Sequence, residues 1–120
     1  METKYYKVII AGSRSFCDYS ILRDCCDEIL SETCKIAIVS GTAKGTDMLG
    51  ERYATEKAYP ILRFPADWKK FGRAAGIIRN AEMARHANAL IAFWDGKSTG
   101  TKNMIDTARK NGLKVSIIQI

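Results

Sequence analysis

Three short segments combine glycine with hydroxyl or cationic side chains: Gly12-Ser13-Arg14-Ser15, Ser40-Gly41-Thr42-Ala43-Lys44-Gly45-Thr46-Asp47, and Asp95-Gly96-Lys97-Ser98-Thr99-Gly100-Thr101. Each follows an apolar run and precedes a stretch of helical periodicity. Free N–H groups at a helix start, aided by the helix dipole, attract phosphate or carboxylate. Glycine lets the main chain reach a ligand without a Cβ in the way. The chemistry these segments suit is therefore the gripping of an anion. Two further groups belong with them: Asp67-Trp68, where the indole can stack on a base or cover a pocket, and Arg79-Asn80, a polar pair that interrupts Ile77, Ile78 and Ala81 and so requires partners. Of the acids, Asp47, Asp67 and Asp95 suit capping or acceptance of ribose hydroxyls, and Asp47 and Asp95 are the candidates for acid or base work.

Several alternatives fail on spacing. Gly41 and Gly45 have three residues between them, and Lys44 precedes the second glycine, so the ATPase phosphate loop is absent; Gly12-Ser13-Arg14 lacks the dinucleotide-binding Gly-x-Gly-x-x-Gly. No Gly-x-Ser-x-Gly elbow occurs, and the one histidine, His86, falls at a helix end away from these segments. Four cysteines, Cys17, Cys25, Cys26 and Cys34, form no Cys-x-x-Cys pair, which argues for reduced thiols and no metal site. No cofactor is implied.

To bring these segments together the chain needs an ordered framework. Five apolar runs, 5–11, 35–39, 60–64, 89–94 and 114–120, read as strands, nearly continuous as in parallel sheets covered on both faces. Between them lie four helical patterns. The first starts near Asp18 and buries Ile21, Leu22, Cys25, Cys26, Ile29 and Leu30; the second covers 46–57 with Leu49 and Tyr53 inward. The third covers about 72–86 and buries Ile77, Ala81 and Ala84 with Ile78 beside them; the fourth covers about 100–110, buries Met104, Ile105 and Ala108, and stops at Asn111-Gly112. This order predicts one α/β domain over residues 1–120, a Rossmann-like three-layer fold with a five-stranded parallel sheet of order 3-2-1-4-5. The crevice between strands 1 and 4 is where such sheets bind ligands.

The chain has 120 residues, 19 Lys and Arg against 13 Asp and Glu, and a net charge of +6, which favours anionic ligands. The cations are scattered, with no aromatic and basic interleaving noted, so nucleic acid is expected to be an improbable partner. No apolar stretch spans a membrane, and the start Met-Glu-Thr-Lys-Tyr-Tyr lacks a signal-peptide core, so the expectation is a cytoplasmic protein with no membrane partner.

Taken together, Ala11-Gly12-Ser13-Arg14, Ser40 to Asp47, Phe64-Pro65-Ala66-Asp67-Trp68, Ala75-Gly76-Ile77-Ile78-Arg79-Asn80-Ala81-Glu82-Met83 and Ala92-Phe93-Trp94-Asp95-Gly96 with Ser98-x-Gly100-Thr101 resemble the DUF2493 group of the SLOG superfamily over 7–115. That superfamily also holds the LOG phosphoribohydrolases, the DNA-processing protein DprA and nucleotide-sensing domains of bacterial defence. The resemblance implies a nucleotide-derived small-molecule ligand, such as an ADP-ribose derivative, in bacterial or phage biology. It implies as ligand-binding residues Gly12, Ser13, Arg14, Gly41 to Asp47 and Gly96 to Thr101, and a homo-oligomer, dimer or higher. It also carries two alternatives, hydrolysis of an N-glycosidic bond and single-stranded DNA binding. Against hydrolysis, counting forward from Gly100-Thr101 puts Met104 where the hydrolases carry their glutamate. Asp106 lies about 200° round the helix from there, leaving Asp47 or Asp95 as the acid or base.

Overall fold

The structure is a computed structural model describing residues 4–120; Met1 to Thr3, part of the start segment read above, lie outside the described residues. Five parallel strands, β1 (Tyr6–Gly12), β2 (Ile36–Ser40), β3 (Ile61–Arg63), β4 (Ala89–Trp94) and β5 (Lys114–Gln119), form one sheet in the order β3-β2-β1-β4-β5. The connections are α1 (Tyr19–Ile29), α2 (Thr46–Lys57), then α3 (Trp68–Phe71), a 3-10 turn (Gly72–Ala74) and α4 (Ala75–Arg85), and finally α5 (Thr99–Lys110). The predicted fold and strand order are therefore observed. Among the described residues no helix is long and apolar enough to cross a membrane.

Alternation along the strands divides the core in two. Val8, Ile10, Ile36, Ile38, Ile91 and Phe93 face α1 and α2, packing on Leu22, Cys26, Leu30, Tyr53 and Ala54. Ile9, Ala11, Val39, Leu90 and Ala92 face α4 and α5, packing on Met83, Ala84, Met104, Ile105 and Ala108. Burial on both faces explains why the central strands β1, β2 and β4 read as nearly unbroken apolar runs, whereas the edge strands β3 and β5 are only partly covered.

The helix starts and stops follow local chemistry. Asp18 accepts the amide of Ile21 and caps α1, as its position before the apolar stripe predicts. Asp18→Ala is expected to cost about 1 kcal/mol, read as a lower urea midpoint with an unchanged slope. Asn111 ends α5, with Gly112 at φ +76° behind it.

Two expected faces are corrected. Ile21 is exposed, because the α1 stripe that meets the sheet runs through Leu22, Cys26 and Leu30. In α4 the inward residues are Ala75, Asn80, Met83 and Ala84, whereas Ile77 is 58% and Ile78 38% exposed and Ala81 is half-buried. The helix is turned so that Asn80 faces α5, where its amide has partners, and the two isoleucines lose the core in consequence. The third helical pattern opens as the 3-10 turn and becomes α-helical from Ala75; before it stands a separate one-turn helix, α3, capped by Asp67, which accepts the amide of Lys70.

Candidate functional site

The carboxyl ends of β1 and β4 meet where the crossover direction reverses, and their backbones are locked together there. The Ser13 amide donates to the Phe93 carbonyl at 3.1 Å, and Thr46 donates to the Ser13 carbonyl through both its hydroxyl (2.9 Å) and its amide (3.3 Å). Gly12 sits inside this knot: a Cβ there would collide with the Phe93 carbonyl and come within 2.7 Å of the Thr46 hydroxyl. Gly45, at φ +76°, closes against the backbone of Arg14, so the β2–α2 loop rests directly on the β1 turn.

Above this floor lies a cavity of about 660 Å³, within the range of nucleotide and cofactor sites. One wall is the β1 turn and the start of α5, the other is α3 and α4. Of the residues singled out in the sequence, the structure brings Gly12, Ser13, Arg14, Asp47, Trp68, Arg79, Asn80, Asp95, Ser98, Thr99, Gly100 and Thr101 to this cavity. It does not bring Ser40, Gly41, Thr42, Lys44, Gly45, Thr46, Asp67 or Gly96 to its surface. Ser40 binds Glu51 at 2.7 Å and accepts the Thr42 amide; Thr42 itself takes a left-handed backbone at φ +62°, unfavourable for a β-branched residue. Lys44 points to solvent, and Asp67 serves as the α3 cap. These residues build the loops on which the lining stands.

Arg73 and Asn103 line the cavity but were not among the expected site residues, and Met83 and Met104 add apolar lining. Asn103 stands one turn after Thr99 on α5, a spacing that could have signalled it. Met104 is buried at the position where the resemblance puts a hydrolase glutamate, and Asp106 is exposed, paired with Lys102 at 2.8 Å and away from the cavity.

The polar pair on α4 finds protein partners. Arg79 donates to the Gly41 carbonyl at 2.6 Å and to Asn80 at 3.0 Å, and Asn80 donates to Asn103 at 3.0 Å. Arg79 thus ties α4 to the β2–α2 loop and still lines the cavity. Asp47 is buried and accepts the Ala43 amide at 3.1 Å through one oxygen. Burial raises its pKa from an ordinary 3.8 to about 6, against the Ala43 hydrogen bond and the Arg79 charge, which lower it. Asp95 behaves oppositely: one oxygen accepts the amides of Ser98 and Lys97, both at 2.8 Å, which holds its pKa below the usual carboxylate range.

The start of α5 is set by Trp94, whose indole donates to the Ser98 carbonyl at 3.0 Å. Ser98 makes no side-chain cap, and the amides of Thr99, Gly100 and Thr101 have no acceptor among the described residues. Beside them the Ser13 hydroxyl is buried and makes no hydrogen bond of good geometry, although it is near enough to the Asp95 carboxyl to help hold that group's pKa down. Unused amide donors, a buried hydroxyl and three arginines therefore share one cavity with two carboxylates.

The family model for the YspA, cpYpsA-related SLOG family matches residues 6–71. The chain belongs to that family. This SLOG-family chain is also 33% identical to the Gene 61 protein of Mycobacterium phage D29 over 116 residues, covering 91% of this chain and 93% of that one. Its fold is similar to that of DNA processing protein A (DprA) from Streptococcus pneumoniae, with a TM-score of 0.77 at 18% identity, over 97% of this chain and 51% of that chain. It is also similar to DprA from Helicobacter pylori, with a TM-score of 0.65 at 21% identity, over 92% and 64%. The chain spans about half the length of the first DprA and under two thirds of the second. The structure of the Helicobacter pylori protein is described by its single-stranded DNA binding mode. The expectation that nucleic acid is an improbable partner is corrected accordingly: a protein of this fold binds single-stranded DNA, and scattered cations in a sequence do not exclude it.

Proposed function

We propose that the cavity binds a phosphate-bearing nucleotide or nucleotide-derived molecule such as an ADP-ribose derivative, and that the protein senses or sequesters it. The observation that carries this reading is the set of open amides of Thr99, Gly100 and Thr101 at the start of α5, with the buried Ser13 hydroxyl beside them. A phosphate there would take over donors at a helix start that otherwise face water. Arg14 and Arg73 supply countercharge. Trp68, 53% exposed at the mouth, offers a face for the base, and the buried Asp47 carboxylate suits neutral donors such as ribose hydroxyls. Binding without turnover is favoured because Met104 offers no carboxylate.

The test is calorimetry and thermal shift with AMP, ADP-ribose and inorganic phosphate. A ligand at a hundred times its Kd adds about 2.7 kcal/mol to stability. Arg14→Ala is expected to weaken the phosphate-bearing ligands about tenfold, the loss of one charge-assisted contact. No shift with any of the three at millimolar concentration overturns the reading. Release of free base from the ligand, followed by chromatography, would instead assign hydrolysis.

A second reading is single-stranded DNA whose terminal nucleotide enters the cavity. The likeness to the Helicobacter pylori protein, together with a cavity mouth that opens beside exposed Trp68, favours it.

A further inference from the structure

Residues 67–74 form a run in which every residue is exposed, along one lip of the cavity. It reads Asp67-Trp68-Lys69-Lys70-Phe71-Gly72-Arg73-Ala74: two aromatic rings and three cations within six residues, contrary to the expectation of no such interleaving. Trp68 is 53% and Phe71 39% exposed, so two large rings face solvent where a folded chain would ordinarily bury them. Lys69, Lys70 and Arg73 enter no ion pair among the described residues. The run's one carboxylate, Asp67, accepts the Lys70 amide. Lys70 lies 5.1 Å from the Phe71 ring centre, so charge and ring are presented together.

We propose that this lip is a docking surface for single-stranded DNA, carrying the nucleotides that flank the one held in the cavity. The inference rests on the second reading above. Exposed rings stack on bases whatever their identity, and cations beside them follow the phosphates. A second copy of the chain is disfavoured as occupant, since two such lips would bring three unpaired cations against three. Duplex DNA is disfavoured because its bases are already stacked. Trp68 and Arg73 serve both the cavity and the lip, whereas Lys69, Lys70 and Phe71 stand outside the cavity lining and belong to the lip alone.

That division makes the test selective. Binding of fluorescent twelve-nucleotide oligo(dT) is compared with binding of dTMP and of a hairpin duplex, in wild type, Phe71→Ala and the Lys69→Ala/Lys70→Ala double variant. Wild type should hold oligo(dT) at least about tenfold more tightly than dTMP or duplex. Both variants should lose roughly tenfold for oligo(dT) and nothing for dTMP, and the double variant should show a shallower salt dependence. If oligo(dT) binds no better than dTMP, or the variants leave it unchanged, the lip is not a DNA surface, while dTMP binding keeps the cavity reading intact. If neither ligand binds, the cavity reading fails with it. Equal binding of duplex, tenfold preference for oligo(U), or a dimer in gel filtration that Phe71→Ala dissociates would each overturn the assignment.

Discussion

Gly12→Ala is expected to lower stability by about 3 kcal/mol, and the melting temperature by roughly 12 °C, although it adds a single methyl group. The added carbon would point at the Phe93 carbonyl and the Thr46 hydroxyl. Neither can yield independently. The Phe93 carbonyl accepts the Ser13 amide, and Thr46 is held to the Ser13 carbonyl by two hydrogen bonds. Moving either atom breaks the junction of β1, β4 and α2 at once, and β1 and β4 are central strands paired from Val8 with Ala89 to Gly12 with Phe93. Gly100→Ala is the matched control, since a Cβ there meets nothing within 4 Å; it should leave the melting temperature nearly unchanged. Equal, small effects at both positions would show that the junction is soft.

The second large effect runs in the opposite direction. Asp47→Asn is expected to stabilise the protein at pH 7.5 while weakening nucleotide binding. The carboxyl is buried, its folded pKa is about 6, and its ordinary value is 3.8. A carboxyl whose pKa rises on folding contributes stability that is fully present below pH 3.8 and lost as pH climbs through about 6. At neutral pH the deficit approaches about 3 kcal/mol, at roughly 1.4 kcal/mol per pKa unit. Asparagine can still accept the Ala43 amide but carries no charge; the deficit already includes the Arg79 attraction, and a gain of about 1–2 kcal/mol is expected after the cost of accommodating the buried amide NH2 group. Urea unfolding at pH 4 and pH 7.5 decides the matter: the difference between wild type and variant should be large at the higher pH and small at the lower. A variant less stable at pH 7.5 would mean that the Arg79 attraction outweighs the desolvation. A residue that costs stability and lines a cavity fits a binding role.

The sheet is legible because burial on both faces leaves few polar residues in β1, β2 and β4, while the partly covered edge strands β3 and β5 stand out by their isoleucine, leucine and valine between helical segments, and right-handed crossovers give the order. The loops were legible in type and less so in use. Glycine, serine and threonine are equally suited to touching a ligand and to packing one loop on another, and Gly45, Thr46 and Ser40 do the second while Gly12, Ser13 and Thr101 also border the cavity. Only the tertiary arrangement separates the two uses. The phase of α4 is not legible in composition: Ile77 and Ile78 are apolar and Asn80 is not, which points the isoleucines inward only when the polar residue lacks a partner, and Asn103, 23 residues later in sequence, supplies one. The Trp68 to Arg73 lip escaped notice because its residues are ordinary individually and become a surface only when Asp67 caps α3 and turns the whole run outward.

The two walls of the cavity differ in how they are anchored. One is cross-linked to the sheet through the main chain at Gly12, Ser13 and Thr46, so that changes at this junction reach the fold itself. The other is hung on a helix that grips its neighbours chiefly through Arg79, Asn80 and Met83. For the binding proposed above, the cavity would be a vice with one fixed and one adjustable jaw. Exchanging side chains on the adjustable jaw would let descendants of this scaffold acquire new cargo while the foundation stays as it is.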